Sequence, residues 1–192
     1  AVALHRGVWY PRVMVQRAAA PARSASLFAA LALAGFAAAA FAADEAPIQR
    51  NLVSLRLGDR MKDVQILYPP TRDWPTHKDP GGRVTRVHVE RSYAKYFPDD
   101  VATIRLGLKS GRLVHIQVVF DAAETRRKPL PKLVGELSLI YGEPIRRRES
   151  YAWEDSDTVM RAFDEQIPSP DGRALEIRTS LEIVDRSVYK PY

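Results

Sequence analysis

The chain contains no cysteine, and that absence removes a disulfide framework, a thiol nucleophile and a thiolate metal site together. It also removes lipid attachment through a cysteine at an export cleavage site. Acidic residues are missing from the first 43 positions, and no second long apolar run follows Phe41. There is no Gly-x-Ser-x-Gly elbow, phosphate-binding loop or dinucleotide fingerprint. A non-enzymatic chain is therefore expected, with a hydrolase whose site residues are dispersed through the sequence as an alternative.

What is present at the start reads as an address. From Met14 to Ala43, Arg17 and Arg23 lead into an apolar stretch over Leu27 to Phe41, closed by the small-residue sequence Ala40-Phe41-Ala42-Ala43. A basic start, a short apolar helix and an A-x-A-type site are the parts of a bacterial secretory signal. The Ala-rich run is short against the ~20 strongly apolar residues of a membrane span. Cleavage after Ala42 is expected, giving a periplasmic or secreted product with no transmembrane helix. Residues 1–13 read as upstream sequence, with Met14 as the initiator.

Export changes the charge balance. Arg6, Arg12, Arg17 and Arg23 precede the cleavage site, so 4 of the 29 Lys and Arg are removed and 25 remain against 23 acidic residues; the net charge falls from +6 to +2. Nucleic-acid binding needs a basic face that neutralises several phosphates, and no nucleic-acid partner is expected.

The mature chain reads as a flexible leader over 43–51, a first unit over 52–121, a second over 122–186 and a tail over 187–192. Met61, Val64, Leu67 and Tyr68 recur at helical spacing, and Pro69-Pro70 stops that helix. A Pro/Gly-rich loop over 69–83 holds Trp74, which either pins the loop to the core or meets a partner. Strands are expected over Val84 to Tyr96, Ala102 to Leu108 and Val114 to Phe120. A three-residue Lys109-Ser110-Gly111 turn pairs Leu106 with Val114 and Ile104 with Ile116, which keeps one face apolar. Asp121 to Lys128 reads as a charged linker. Leu133, Val134, Leu137, Ile140 and Tyr141 make the stripe of a second helix ending at Gly142. Strands follow over Arg146 to Trp153, Thr158 to Glu165 and Leu175 to Ile183.

Each half thus reads as an amphipathic helix followed by three antiparallel strands. The helices end alike, at Tyr68-Pro69-Pro70 and Tyr141-Gly142-Glu143-Pro144. The fold class expected is α+β, two tandem α-β-β-β units forming an antiparallel sheet with both helices packed on one face. Leu57-Gly58, Val64, Leu67 and Pro70 resemble the helix motif of the small outer-membrane barrel-assembly lipoproteins of SmpA/OmlA type. The tandem form of the unit is similar to the fold of the secreted β-lactamase inhibitor protein superfamily. That resemblance implies non-catalytic units that bind other proteins through the sheet face and its loops. The lipoproteins' modified Cys is missing here, and Tyr68 stands where their helix has Gly, so membrane anchoring and any particular partner are not carried over.

Candidate interaction residues are Trp74, His88, His115, Arg146, Arg147 and Arg148. His88 and His115 belong on the polar faces of their strands, near Glu90 and Gln117. Two imidazoles and a carboxylate hold zinc only if they converge; isolated surface histidines are the reading taken, with no metal or cofactor. Asp99-Asp100 and Asp155-Ser156-Asp157 sit in turns, where Asp bonds nearby backbone. Two basic clusters, Arg126-Arg127-Lys128 and Arg146-Arg147-Arg148, flank the second helix. At ~1.5 Å per residue that helix holds them nearly 20 Å apart. Arg147 is expected to pair with Glu149 or its neighbours.

These readings converge on an exported soluble module that binds a protein partner of the envelope through the polar sheet face, the 69–83 loop and the Arg146 to Arg148 strand. Contact with anionic lipid headgroups is a further possibility for the basic clusters. A periplasmic carrier of a small or lipidic ligand is the alternative, and it requires an apolar cavity.

Overall fold

The computed structural model describes residues 46–169 and 172–187. The signal, its cleavage site, the start of the leader and most of the 187–192 tail lie outside the described residues. A small hairpin, β1 (Asn51–Leu52) with β2 (Leu55–Arg56), comes first, followed by α1 (Met61–Leu67). Ile48, within the segment read as a leader, is buried, and its N–H donates to Asp155 Oδ2 at 2.9 Å. Val64 is the fully buried residue of α1. Tyr68 closes that helix, and its hydroxyl donates to the Val53 carbonyl. Burial pushes the Tyr68 phenol up to about 12.

The 69–83 loop is partly ordered into a strand, β3 (Thr76–Lys78), which pairs with β4 (Thr85–Glu90). β5 (Val101–Lys109) and β6 (Arg112–Phe120) then form a hairpin. The segment read as a linker is a helix, α2 (Ala122–Arg127), because the Asp121 carboxylate accepts the N–H of Glu124 at 2.7 Å and caps it. α3 (Leu130–Tyr141) follows at once and ends on Gly142 at φ 79°. The expected strand over 146–153 is two strands, β7 (Ile145–Arg147) and β8 (Ser150–Glu154), because Arg148 takes φ 52° and reverses the chain. β9 (Thr158–Pro168) and β10 (Leu175–Asp185) complete the fold.

Eight strands make one antiparallel sheet in the order β3-β4-β5-β6-β10-β9-β8-β7. Ile104 and Leu106 of β5, Ile116 and Val118 of β6, Met160 and Ala162 of β9, and Leu181 and Ile183 of β10 line one face. They share a single buried cluster with Val64 of α1 and with Leu130, Leu133 and Tyr141 of α3. The chain is an α+β protein dominated by antiparallel sheet. Burying each such Leu or Ile contributes roughly 1.5–3 kcal/mol, so this face holds the sheet and leaves the other free for polar residues.

Three expectations need correction. The β5–β6 turn has two residues: Lys109 pairs with Arg112 around Ser110 and Gly111, at φ 51° and 75°. A register shift between Gly107 and Leu108 then adds one residue, so Leu106 faces Ile116 and Ile104 faces Val118. The bulge restores the parity that a bare two-residue turn would have lost, and the same side chains stay on the apolar face. Ile140, placed in the helical stripe, is 55% exposed. Leu175 and Ile177 are 67% and 61% exposed, because β6 pairs only with Ser180 to Val184 of β10 and the hairpin runs on beyond it.

Candidate functional site: the polar sheet face

Strand alternation puts Arg86 and His88 of β4, Arg105 of β5, His115 and Gln117 of β6, Arg161 and Glu165 of β9, and Glu182 of β10 opposite the core-facing positions. Two hydrogen-bonded rows cross this face. In one, Arg86 Nη1 meets His115 Nδ1 at 3.0 Å, His115 Nε2 meets Glu182 Oε2 at 3.0 Å, and Arg161 pairs with the other oxygen of Glu182. An Arg donor at Nδ1 leaves that nitrogen the acceptor, so Nε2 carries the proton given to Glu182. In the other row, Gln117 Nε2 donates to Glu165 Oε2 at 2.6 Å and to Ser180 Oγ at 3.0 Å, while Arg105 pairs with Glu165.

The rows are drier than surface residues would be. His115 is 5% exposed, and Gln117 and Glu182 are likewise buried. Burial alone would push the Glu182 carboxyl up; the His115 hydrogen bond and the Arg161 guanidinium outweigh it and hold the group below the ordinary carboxylate range. Gly107, opposite His115 on β5, makes room for the ring: a Cβ there would lie 3.0 Å from His115 Cβ and 3.1 Å from Val84 Cγ1.

His88 does not converge with His115. It stands across from Arg105, and its ring meets the edge of His77 at 5.4 Å. Partial burial, then Arg105 and His77, push its pKa down against the pull of Glu90. Among the described residues no group of three His, Asp or Glu is placed to hold a metal ion. Trp74 is 9% exposed and its indole N–H donates to the Tyr93 carbonyl at 2.9 Å, so little of the ring is left for a partner. Asp155 Oδ1 accepts the N–H groups of Asp157 and Thr158, the turn role that the sequence suggested.

The basic clusters divide. Arg127 pairs with Glu124, and Lys128 with Glu136 at 3.0 Å, whereas Arg126 has no polar partner among the described residues. Arg147 pairs with Glu154 at 2.6 Å rather than with Glu149, and Arg146 lies over the Tyr151 ring at 5.9 Å. Two open grooves border the rows. One, of about 690 Å³, is lined by Arg147, Arg148, Ser150, Arg161 and Phe163; the other, of about 700 Å³, by His88, Glu90, Thr103, Arg105, Arg126 and Arg178.

Sequence reasoning placed His88, His115 and Glu182 on polar strand positions but did not single out Arg86, Arg161, Glu165 or Glu182 as site residues. Alternation alone marks them as non-core positions. Their meeting depends on β6 pairing with β10, a contact between strands about 65 residues apart that no local pattern encodes. The chain matches no protein-family model, no curated protein and no solved structure.

Proposed function

We propose that this chain is an exported, non-enzymatic module of the bacterial envelope that binds another protein through the polar face of its sheet. The observation that carries the reading is the pair of arginine-bearing grooves bordering two internally hydrogen-bonded polar rows. Satisfied buried networks hold side chains in one arrangement, which favours selective recognition. The arrangement speaks against the hydrolase alternative: both ring nitrogens of His115 are engaged, by Arg86 and Glu182, so neither is free to take a proton from a nucleophile. The carrier alternative needs an apolar cavity between helices and sheet, whereas side chains of α1, α3 and the sheet join in one continuous buried cluster.

Two tandem units are part of the proposal. Supporting it, β3–β6 and β7–β10 run as successive neighbours that meet at the β6–β10 pair, with α1 before the first set and α2 and α3 before the second. Each set has four strands rather than the three expected, because β3 and the β7–β8 turn each add one. The signal over Met14 to Ala43 supports export. No helix among the described residues is long and apolar enough to cross a membrane.

The test is site-specific photo-crosslinking in the periplasm, with the photoreactive residue at Ser150 beside one groove or at Lys62 on exposed α1. A discrete partner adduct at Ser150, absent at Lys62 and lost with Arg147→Glu, is the expected result. Equal adducts at both positions, or indifference to Arg147→Glu, would discard this surface.

A further inference from the structure

We propose that the groove beside Arg126 and Arg178 binds an extended charged segment of a partner protein, seating a carboxylate at these two arginines and a cationic side chain at Glu90. The inference rests on the protein-binding reading above and adds the chemistry of the segment recognised.

The groove holds about 700 Å³, within the ~300–1,000 Å³ of ligand-binding clefts. Most of its charges are already spoken for. Arg105 is paired with Glu165, the Nη2 of Arg178 with Glu176, and the Asp121 carboxylate caps α2. Two donors are left over. Arg126 is exposed and meets no acceptor among the described residues. The Arg178 side chain is only 11% exposed, and its buried Nε has no hydrogen-bond partner among the described residues. A donor shut away from water without an acceptor is rare and costly, so a small turn of the Arg178 side chain that brings Nε to an incoming oxygen is favoured beyond its charge alone.

One uncommitted guanidinium and one spare N–H match a single carboxylate better than a doubly charged phosphate. On the opposite wall stands Glu90, exposed and with no ion pair among the described residues. β4 and β10 are three strand spacings apart in the sheet, about 14 Å at ~4.8 Å each. An extended chain rises ~3.3 Å per residue, so side chains four residues apart span that distance and point the same way. The segment that fits carries an acidic residue at one position and Lys or Arg four positions away. A free small acid satisfies only one end of the groove.

The probe is an acetylated, amidated peptide with the core Glu-Ser-Thr-Ser-Lys, titrated into the mature protein with the Arg178 Nε–H followed by NMR. The expected result is a shift of that signal on binding. Changing the peptide Glu to Gln, or Arg126→Ala in the protein, should weaken binding about tenfold, the loss of one hydrogen bond to a charged group. Glu90→Gln should weaken the Lys-bearing peptide and leave its Lys-to-Ala version unaffected. An unmoved Arg178 signal, indifference to Arg126→Ala, or equal binding of a peptide with Glu and Lys two residues apart would overturn the assignment. Acetate or anionic vesicles binding as tightly as the peptide would overturn it in favour of a small anion or a lipid surface. If the peptide fails while the Ser150 adduct persists, the groove assignment falls and the protein-binding reading stands; loss of both removes both.

Discussion

Gly107 and His115 face each other across the β5–β6 ladder, and a Cβ on Gly107 would sit 3.0 Å from that of His115. The glycine is what lets the imidazole lie inside the polar row rather than above it. Gly107→Ala should push the ring away from Arg86 and Glu182 and destabilise the protein by about 1–3 kcal/mol, as overpacking does. Urea unfolding measures the loss, and the His115 ring signals should shift with it. An alanine variant as stable as the parent would show that β5 yields without disturbing the row.

Glu182 accepts from two donors at the centre of the sheet, the Nε2–H of His115 on one oxygen and the Arg161 guanidinium on the other. Glu182→Gln keeps the shape and removes the charge, leaving Arg161 buried beside a neutral amide. Breaking one side of a buried pair costs roughly 3–5 kcal/mol, and the lower end applies here because Arg161 keeps some water contact. The folded pKa of Glu182 is depressed, so its contribution is full above the ordinary carboxylate value and is lost as pH falls through the folded one. Stability measured from pH 6 down to pH 2 should therefore decline more gently in Glu182→Gln than in the parent. Equal slopes would place the acid sensitivity elsewhere.

How far the sequence reached is clearest along these strands. Alternation separated Ile104, Leu106, Ile116 and Val118 from Arg105 and Gln117, because a half-buried sheet writes its two faces as period two. It could not reveal the bulge after Gly107, since an extra residue leaves no compositional mark. The reading of Asp121 to Lys128 as a linker overlooked that Asp121 and Glu124 stand at capping spacing. Leu175 and Ile177 carry the core pattern yet are exposed, because burial there depends on how far β6 extends beside β10. The charged rows were the least legible, each bond joining residues that only the strand order brings together.

His88 offers a second titration at milder pH. Its folded pKa lies below the ordinary histidine value of 6.5, chiefly through burial and then through Arg105 and His77. The unfolded chain takes up the proton first as pH falls, so stability should drop as pH goes below about 6.5 and level off below the folded value. His88→Gln removes the titrating group and should flatten that part of the curve. Thermal melts at pH 7.5, 6.5 and 5.5 check it, and a parent curve already flat over this range would contradict the assignment.

Arg148 holds φ 52° at the β7–β8 turn while lining the groove with Arg147 and Phe163. An L-residue in the left-handed region costs roughly 1–2 kcal/mol that glycine avoids. Arg148→Gly should therefore raise stability, by about 1 kcal/mol once glycine's greater freedom in the unfolded chain is set against the relief. If the arginine stands there for recognition, the same change should weaken the partner adduct at Ser150. Stability rising while binding falls is the pattern of strain kept for function. A variant that gains stability and keeps its adduct would make Arg148 an incidental turn residue; one that loses stability would mean that its side chain, not its backbone, governs the turn.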